Sequence, residues 1–268
     1  MASNHKVIGN GMAALITGAS SGIGEQFARQ LADRGVHLVL VARDRRRLED
    51  LSADLRRQHG DLSVTVQDTD LAVPGSAGQL VDALVRRAVT VDILINAAGV
   101  GSHGPFVSQG PETITRQVQL NCVSLVDLTR QLLPGMVTRQ RGGVINVSST
   151  AGFQPIPTMA TYAASKAFVL SFTEALWAET EETGVRVMTL CPGPTETEFF
   201  KTAAPTEQFL TRGRQSAEHV VKVAIRYFDS SRQPTLVPGA ANRLLASGYR
   251  VMPRGAMAHM AERTVRAS

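Results

Sequence analysis

The sequence predicts an α/β fold: a doubly wound parallel sheet of about seven strands flanked by helices, in a single domain. Three observations carry that expectation. Seven short apolar runs recur along the 268 residues, at 12–17, 36–42, 62–66, 91–95, 143–148, 185–191 and 235–237. These runs are apolar throughout rather than alternating, as in strands buried on both faces of a parallel sheet. Helical patterns lie between them, and alternation of strand and helix builds right-handed crossovers. A hydrophobic fraction of 43% suits a sizeable core.

In chain order, residues 1–11 are an N-terminal extension and the main body is expected over 12–239. The first strand leads into a glycine-rich turn. Ile23, Phe27 and Leu31 then mark a helix at i, i+4, i+8, with Gly35 placed to end it. Leu48, Leu51 and Leu55 mark a second helix after the second strand, and residues 80–85 a third. Long amphipathic stretches cover about 113–138 and 160–183, on either side of the fifth strand. Another, 217–228, leads to the last strand. Residues 240–268 form a C-terminal helical segment, interrupted at Pro253-Arg254-Gly255.

Composition narrows the function classes. The net charge of +5 suggests affinity for anions, but the arginines are scattered through helices rather than massed, which argues against nucleic acid. No apolar run is long enough to span a membrane, and the start has no signal-peptide core. Cys122 and Cys191 lack zinc spacing and sit in apolar runs, as buried thiols of a reducing compartment do. A cytoplasmic protein without metal is expected.

Two motifs carry chemistry. The turn Thr17-Gly18-Ala19-Ser20-Ser21-Gly22-Ile23-Gly24 joins a strand to a helix, where glycines let backbone approach a pyrophosphate and the helix N-terminus favours anions. Further on, Ser149 precedes Tyr162, and Lys166 follows the tyrosine at i+4, on the same helix face. An ammonium beside a phenol is expected to lower its pKa and fit it for acid/base work on a carbonyl/alcohol couple. Ser149, at a strand end, could bond the same substrate oxygen.

Together these motifs resemble the short-chain dehydrogenase/reductase family over roughly residues 12–237. That resemblance implies a Rossmann-type sheet and an oxidoreductase that moves hydride between a nicotinamide cofactor and a carbonyl or secondary alcohol. Gly18, Ser20, Ser21, Gly22, Ile23 and Gly24 match the family's cofactor loop. Asn96-Ala97-Ala98-Gly99 falls where the family has Asn-Asn-Ala-Gly, so Asn96, Ala97 and Gly99 are implied cofactor neighbours. Ala97 removes one side-chain amide and, with it, a strand–strand hydrogen bond. Ser149, Tyr162 and Lys166 match the catalytic residues, with Tyr162 as acid/base and Lys166 also holding the nicotinamide ribose. Asn121, 28 residues before Ser149 as in the family, is implied to hold a water in a proton relay, with a backbone-bonded helix asparagine as the alternative. Pro192-Gly193 with Thr195 and Thr197 matches the loop that borders nicotinamide. Asp70-Leu71 resembles the pair that contacts adenine, and Asp70 also suits a helix N-cap.

The second strand ends Val41-Ala42 and continues Arg43-Asp44-Arg45-Arg46-Arg47. No acid stands where a ribose ligand belongs, and Arg43 suits a 2′-phosphate, which favours NADP(H) over NAD(H). Substrate choice is assigned to residues 193–215, to the loop around His103 and to the C-terminal segment. Phe199, Phe200, Phe209 and Leu210 favour an apolar small molecule. His103 is either a substrate neighbour or simply exposed. Phe172 and Trp177 are read as core or subunit-interface residues, and the resemblance implies a homodimer or homotetramer. A short-chain isomerase or epimerase and a non-catalytic NADP(H)-sensing regulator remain alternatives. The basic tail is expected to form two short helices near the site rim, with membrane contact at most peripheral.

Overall fold

A computed structural model describes residues 7–197, 214–248 and 252–266. Its frame is a parallel sheet of seven strands in the order β3-β2-β1-β4-β5-β6-β9. The strands are β1 (Ala13–Thr17), β2 (His37–Ala42), β3 (Val64–Asp68), β4 (Ile93–Asn96), β5 (Gly142–Val147), β6 (Val185–Leu190) and β9 (Thr235–Leu236). All seven predicted strands are present. β3 sits two residues later than its apolar run suggests, because Leu62 is buried ahead of the ladder and the pairing with β2 runs to Ala42–Asp68.

Alternate residues feed two apolar layers. Leu15, Val39, Leu94, Val144 and Val187 face one layer with Leu80, Leu84, Leu128 and Met136. Ile16, Leu40, Ile95, Ile145 and Met188 face the other with Phe27, Leu31, Leu55, Val221 and Phe228. Burial on both faces explains why the strands read as unbroken apolar runs. The helices that cover them are α1 (Gly22–Ala32), α2 (Arg45–Gln58), α3 (Ser76–Arg86), α4 (Pro111–Val118), α5 (Ser124–Thr138), α6 (Ala160–Thr180) and α7 (Ala217–Ser230). Residue 8 of the N-terminal stretch also enters the core: Ile8 is fully buried, and its amide and that of Val7 donate to Asp229.

The stretch expected as one helix over 113–138 is two, joined by a π-turn at Gln119–Val123. α6 ends at Thr180 rather than 183, since the Thr183 hydroxyl bonds back to Thr180 O and Gly184 turns the chain at φ +75°. Two strands escaped the sequence reading, the two-residue β7 (Thr195–Glu196) and β8 (Gln215–Ser216), which pair in parallel, as did the short 3₁₀ turns at Phe106–Ser108 and Thr150–Phe153.

The tail forms two helices, α8 (Ala240–Gly248) and α9 (Arg254–Arg266), separated as expected near Pro253. α8 lies on the rim: Ala246 packs with Cys191, Val237, Phe153 and Leu170. The predicted apolar lid residues Phe199, Phe200, Phe209 and Leu210 lie outside the described residues. Among the described residues, no helix is long and apolar enough to cross a membrane.

Candidate active site

The carboxyl ends of β1, β2, β4, β5 and β6 open into a cleft of about 610 Å³. The turn after β1 forms its floor. Gly18 has φ +69°, and a Cβ there would lie 3.0 Å from the Ala98 backbone. Gly24, in the first turn of α1, leaves no room for a side chain: its Cβ would stand 2.3 Å from Gly18 O. Ser20, Ser21, Gly22 and Ile23 line the cleft between them. Thr17 joins this turn to the next strand. Its hydroxyl accepts from the amides of Ala97 and Ala98, each at 3.0 Å, fixing the backbone beside Gly99.

At one end, Arg43 and Arg47 line the cleft after β2. Asp44 lies between them, where its carboxylate caps α2 by accepting from the Arg47 amide at 3.1 Å. Asp70 and Leu71 line the same end. Asp70 accepts from the Ala72 amide at 3.0 Å, closing a turn, and pairs with Arg116 at 2.6 Å. It caps no helix, because the chain turns through residues 71–75 and α3 begins only at Ser76 with Gly75 at its N-cap. Burial works to raise this carboxyl, but the Arg116 guanidinium and the Ala72 amide outweigh it and hold it below the ordinary carboxylate range.

At the other end stand Ser149, Tyr162 and Lys166, with Pro192, Gly193, Thr195 and Thr197 opposite. Ser149 caps a short 3₁₀ turn, its Oγ accepting from the Ala151 amide at 3.1 Å, and its hydroxyl hydrogen-bonds the Tyr162 side chain. Lys166 is 6% exposed and donates from Nζ to Val147 O at 2.9 Å. The Ser148 hydroxyl holds the Lys166 carbonyl at 2.6 Å. Gly99 keeps space open beside Lys166 Nζ and Asn121 Oδ1, each 3.4 Å from where its Cβ would be.

The electrostatics correct the expectation that Lys166 draws the phenol down. Burial pushes Tyr162 up to about 12, and the Ser149 hydrogen bond counters it only in part. Burial likewise pushes Lys166 down to about 8. Both groups are shut away from water, which penalises whichever form is charged.

Two predicted residues stand behind the cleft instead of lining it. Asn121, in the π-turn, accepts from Val100 N at 3.0 Å, and its amide donates to Val100 O at 2.9 Å and Ser165 Oγ at 3.0 Å. Asn96 donates to Asn146 Oδ1 at 2.8 Å, across to β5. The side-chain link between strands that Ala97 was expected to forfeit is thus made by Asn96. Arg47 and Asn146 were missed as site residues, and Thr17, named as the head of the glycine turn, was given no role of its own. Arg47 was legible as one turn beyond Arg43, and Asn146 as an amide inside an apolar strand.

His103 is exposed, does not line the cleft, and shares a 2.8 Å hydrogen bond with Thr158. Trp177 packs against the layer that holds Leu80 and Met136 and donates to Arg232 O at 2.7 Å. The two cysteines are buried and free. No cluster of metal-ligating side chains occurs among the described residues.

A cleft floored by glycine at the strand ends of a doubly wound sheet defines the class: an α/β protein of the kind that binds nucleotides there. Residues 12–208 match the family model for short chain dehydrogenase. The chain belongs to that family of oxidoreductases. It is 39% identical over 178 residues to a very-long-chain 3-oxoacyl-CoA reductase of Pyrenophora tritici-repentis, a match covering 65% of this chain and 52% of that protein. The chain therefore spans about half the length of that relative. A short-chain dehydrogenase from Sphingobium yanoikuyae in complex with NADPH is 36% identical, with TM-score 0.80 over 89% of this chain and 93% of that one. The bulky-bulky ketone specific alcohol dehydrogenase from Comamonas testosteroni is 31% identical, with TM-score 0.76 over 90% and 92%.

Proposed function

We propose that the protein is an NADP(H)-dependent oxidoreductase that interconverts an apolar carbonyl compound and its secondary alcohol, with Tyr162 as general acid/base. The observation that carries this reading is the Ser149–Tyr162 hydrogen bond beside buried Lys166, in the same cleft as the glycine turn. The cofactor would supply the hydride; the chain would hold it and manage the proton.

The residues fit that cofactor. Gly18, Gly22 and Gly24 leave a cradle that any Cβ would fill. Arg43 and Arg47 suit a 2′-phosphate; Asp44 between them is occupied in capping α2, and Asp70 at the same end is paired with Arg116. The NADPH held by the 36% identical relative supports the same choice. Asp70, Leu71, Ala97 and Gly99 would border the adenosine half, and Pro192, Gly193, Thr195 and Thr197 the nicotinamide.

In reduction, Tyr162 Oη would give its proton to the substrate oxygen, with the Ser149 hydroxyl fixing that oxygen. A phenol held protonated by burial is a competent donor at neutral pH. Lys166, charged below about pH 8, would favour the phenolate left behind and bond the cofactor ribose. Asn121 would act by holding the Val100 backbone, and Asn96 by tying β4 to the side chains of Asn146 and Thr129. The 3-oxoacyl and bulky-ketone names of the relatives support an apolar, acyl-chain carbonyl.

The apolar groove of about 710 Å³ between α4–α5 and α6, lined by Phe106, Val118 and Phe168, supports pairing of two copies along these helices. Buried free thiols support a cytoplasmic setting. The test is consumption of NADPH with a panel of 3-oxoacyl thioesters and bulky ketones. Turnover with at least one, faster with NADPH than NADH, is expected. Tight NADPH binding without turnover on any carbonyl would instead favour a cofactor-sensing protein.

A further inference from the structure

The stripe of α6 that carries Tyr162 and Lys166 continues down the helix. Thr173 lies eleven residues past Tyr162 (173 − 162 = 11), within about 20° of three full turns at 100° per residue. Val169, fully buried, fills the stripe between them. Beneath it runs a row of polar residues in register across five strands: Thr17, Asn96, Asn146, Thr189 and Thr235. Each shares a face with the apolar layer under α5 and α6.

This row grips α6. Asn146, fully buried on β5, donates from Nδ2 to Thr173 Oγ1 at 2.9 Å, and its Oδ1 accepts from Asn96. The Thr173 hydroxyl completes its own needs by donating to Val169 O at 2.6 Å. One residue on, Glu174 accepts from the Thr235 hydroxyl of β9 at 2.6 Å. The residue after Asn146 is Val147, whose carbonyl holds Lys166 Nζ. An apolar helix–sheet contact tolerates small slides and rotations. This one does not, because any shift of α6 would strand a buried amide without a partner.

We propose that the Asn146–Thr173 pair, backed by Thr235–Glu174, is a positioning device. It fixes the rotation and height of α6 and so places the Tyr162 hydroxyl and Lys166 ammonium against Ser149 and Val147. The inference rests on the reading that Tyr162 and Lys166 carry the chemistry. Thr173→Val removes the hydroxyl while keeping the volume, and Thr173→Ser keeps the hydroxyl.

The experiment measures kcat and KM in both variants. It also follows the ¹⁹F resonance of Tyr162 in 3-fluorotyrosine-labelled protein, assigned with Tyr162→Phe. Thr173→Val should lower kcat by about tenfold or more, as small misplacements of reacting groups do, with KM for NADPH changed less than kcat. It should shift the Tyr162 resonance, and Thr173→Ser should restore both. A Thr173→Val protein that is merely less heat-stable, with kcat and the resonance at wild-type values, would overturn the proposal. Should that variant not fold, Thr235→Val, at the sheet edge, is read against the same two outcomes. The resonance needs no turnover. A Tyr162→Phe enzyme that stayed active would therefore overturn the catalytic reading alone.

Discussion

Lys166 Nζ stands 5.8 Å from the centre of the Tyr162 ring, while its hydrogen bond goes to the Val147 carbonyl. The pair shares a helix face, as the i, i+4 spacing requires, yet the ammonium is bound to the sheet. The lysine is thus held in place by β5 and the phenol by Ser149, and the site has its order before any cofactor contact.

Replacing Tyr162 by phenylalanine removes the ionisable hydroxyl and little else. Turnover should fall by about 10²–10⁴-fold, the usual worth of positioned acid/base help. NADPH affinity, measured by fluorescence titration, should hold. Wild-type kcat in this variant would remove Tyr162 from the proton transfer.

Arg43→Ala should weaken NADPH by about 1.5–3 kcal/mol, the range for hydrogen bonds to charged groups, and leave NADH nearly unchanged. Titrating both cofactors against both proteins checks this. Equal losses for NADPH and NADH would exclude Arg43 from a phosphate contact.

Gly24→Ala sets a methyl 2.3 Å from Gly18 O, a backbone atom with nowhere to go. Overpacking of this kind costs about 1–3 kcal/mol, and here it would also spread the turn from the helix. Chemical denaturation should show the loss, and calorimetry should show NADPH binding weakened more than tenfold by the distorted turn. Undiminished NADPH affinity would mean that the turn does not cradle the cofactor.

Stability should carry the signature of the two buried groups. Below pH 8 folded and unfolded chains both hold the Lys166 proton, and the fold bears a buried charge. Between about 8 and the ordinary 10.5 only the unfolded chain holds it, so stability rises with pH; the full gain is on the order of 3 kcal/mol. Tyr162 acts in the opposite sense: its contribution is intact below the ordinary 10.0 and is lost as pH rises to about 12. Urea unfolding from pH 7.5 to 9.5 should therefore gain stability more steeply in wild type than in Lys166→Met. Identical slopes would show that Lys166 is not desolvated as described.

Seven strands were legible because burial on both faces writes itself as apolar runs. The cleft was legible because Gly18, Gly24, Ser149, Tyr162 and Lys166 keep spacings that a strand–turn–helix frame turns into proximity. Spacing carries no information about burial, which is why the direction of the Tyr162 shift was misread. The polar row escaped for a related reason: Asn146 and Thr189 look like lapses in apolar strands until the strand register lines them up. Two-residue strands such as β7 have no period to detect.

The π-turn at Gln119–Val123 has a consequence for chain length. One surplus residue there lets α4 and α5 each keep its own phase, with Asn121 turned toward Val100 and Thr129 toward Asn96. Because the wide turn absorbs the surplus residue, deleting one residue between 119 and 123 would restore a regular helix and leave α5 close to its present phase. Thr129 and Leu128 would stay against the sheet. What would be lost is the local widening that sets Asn121 against both backbone groups of Val100, so a chain shortened by one residue here should keep its fold and lose that clamp.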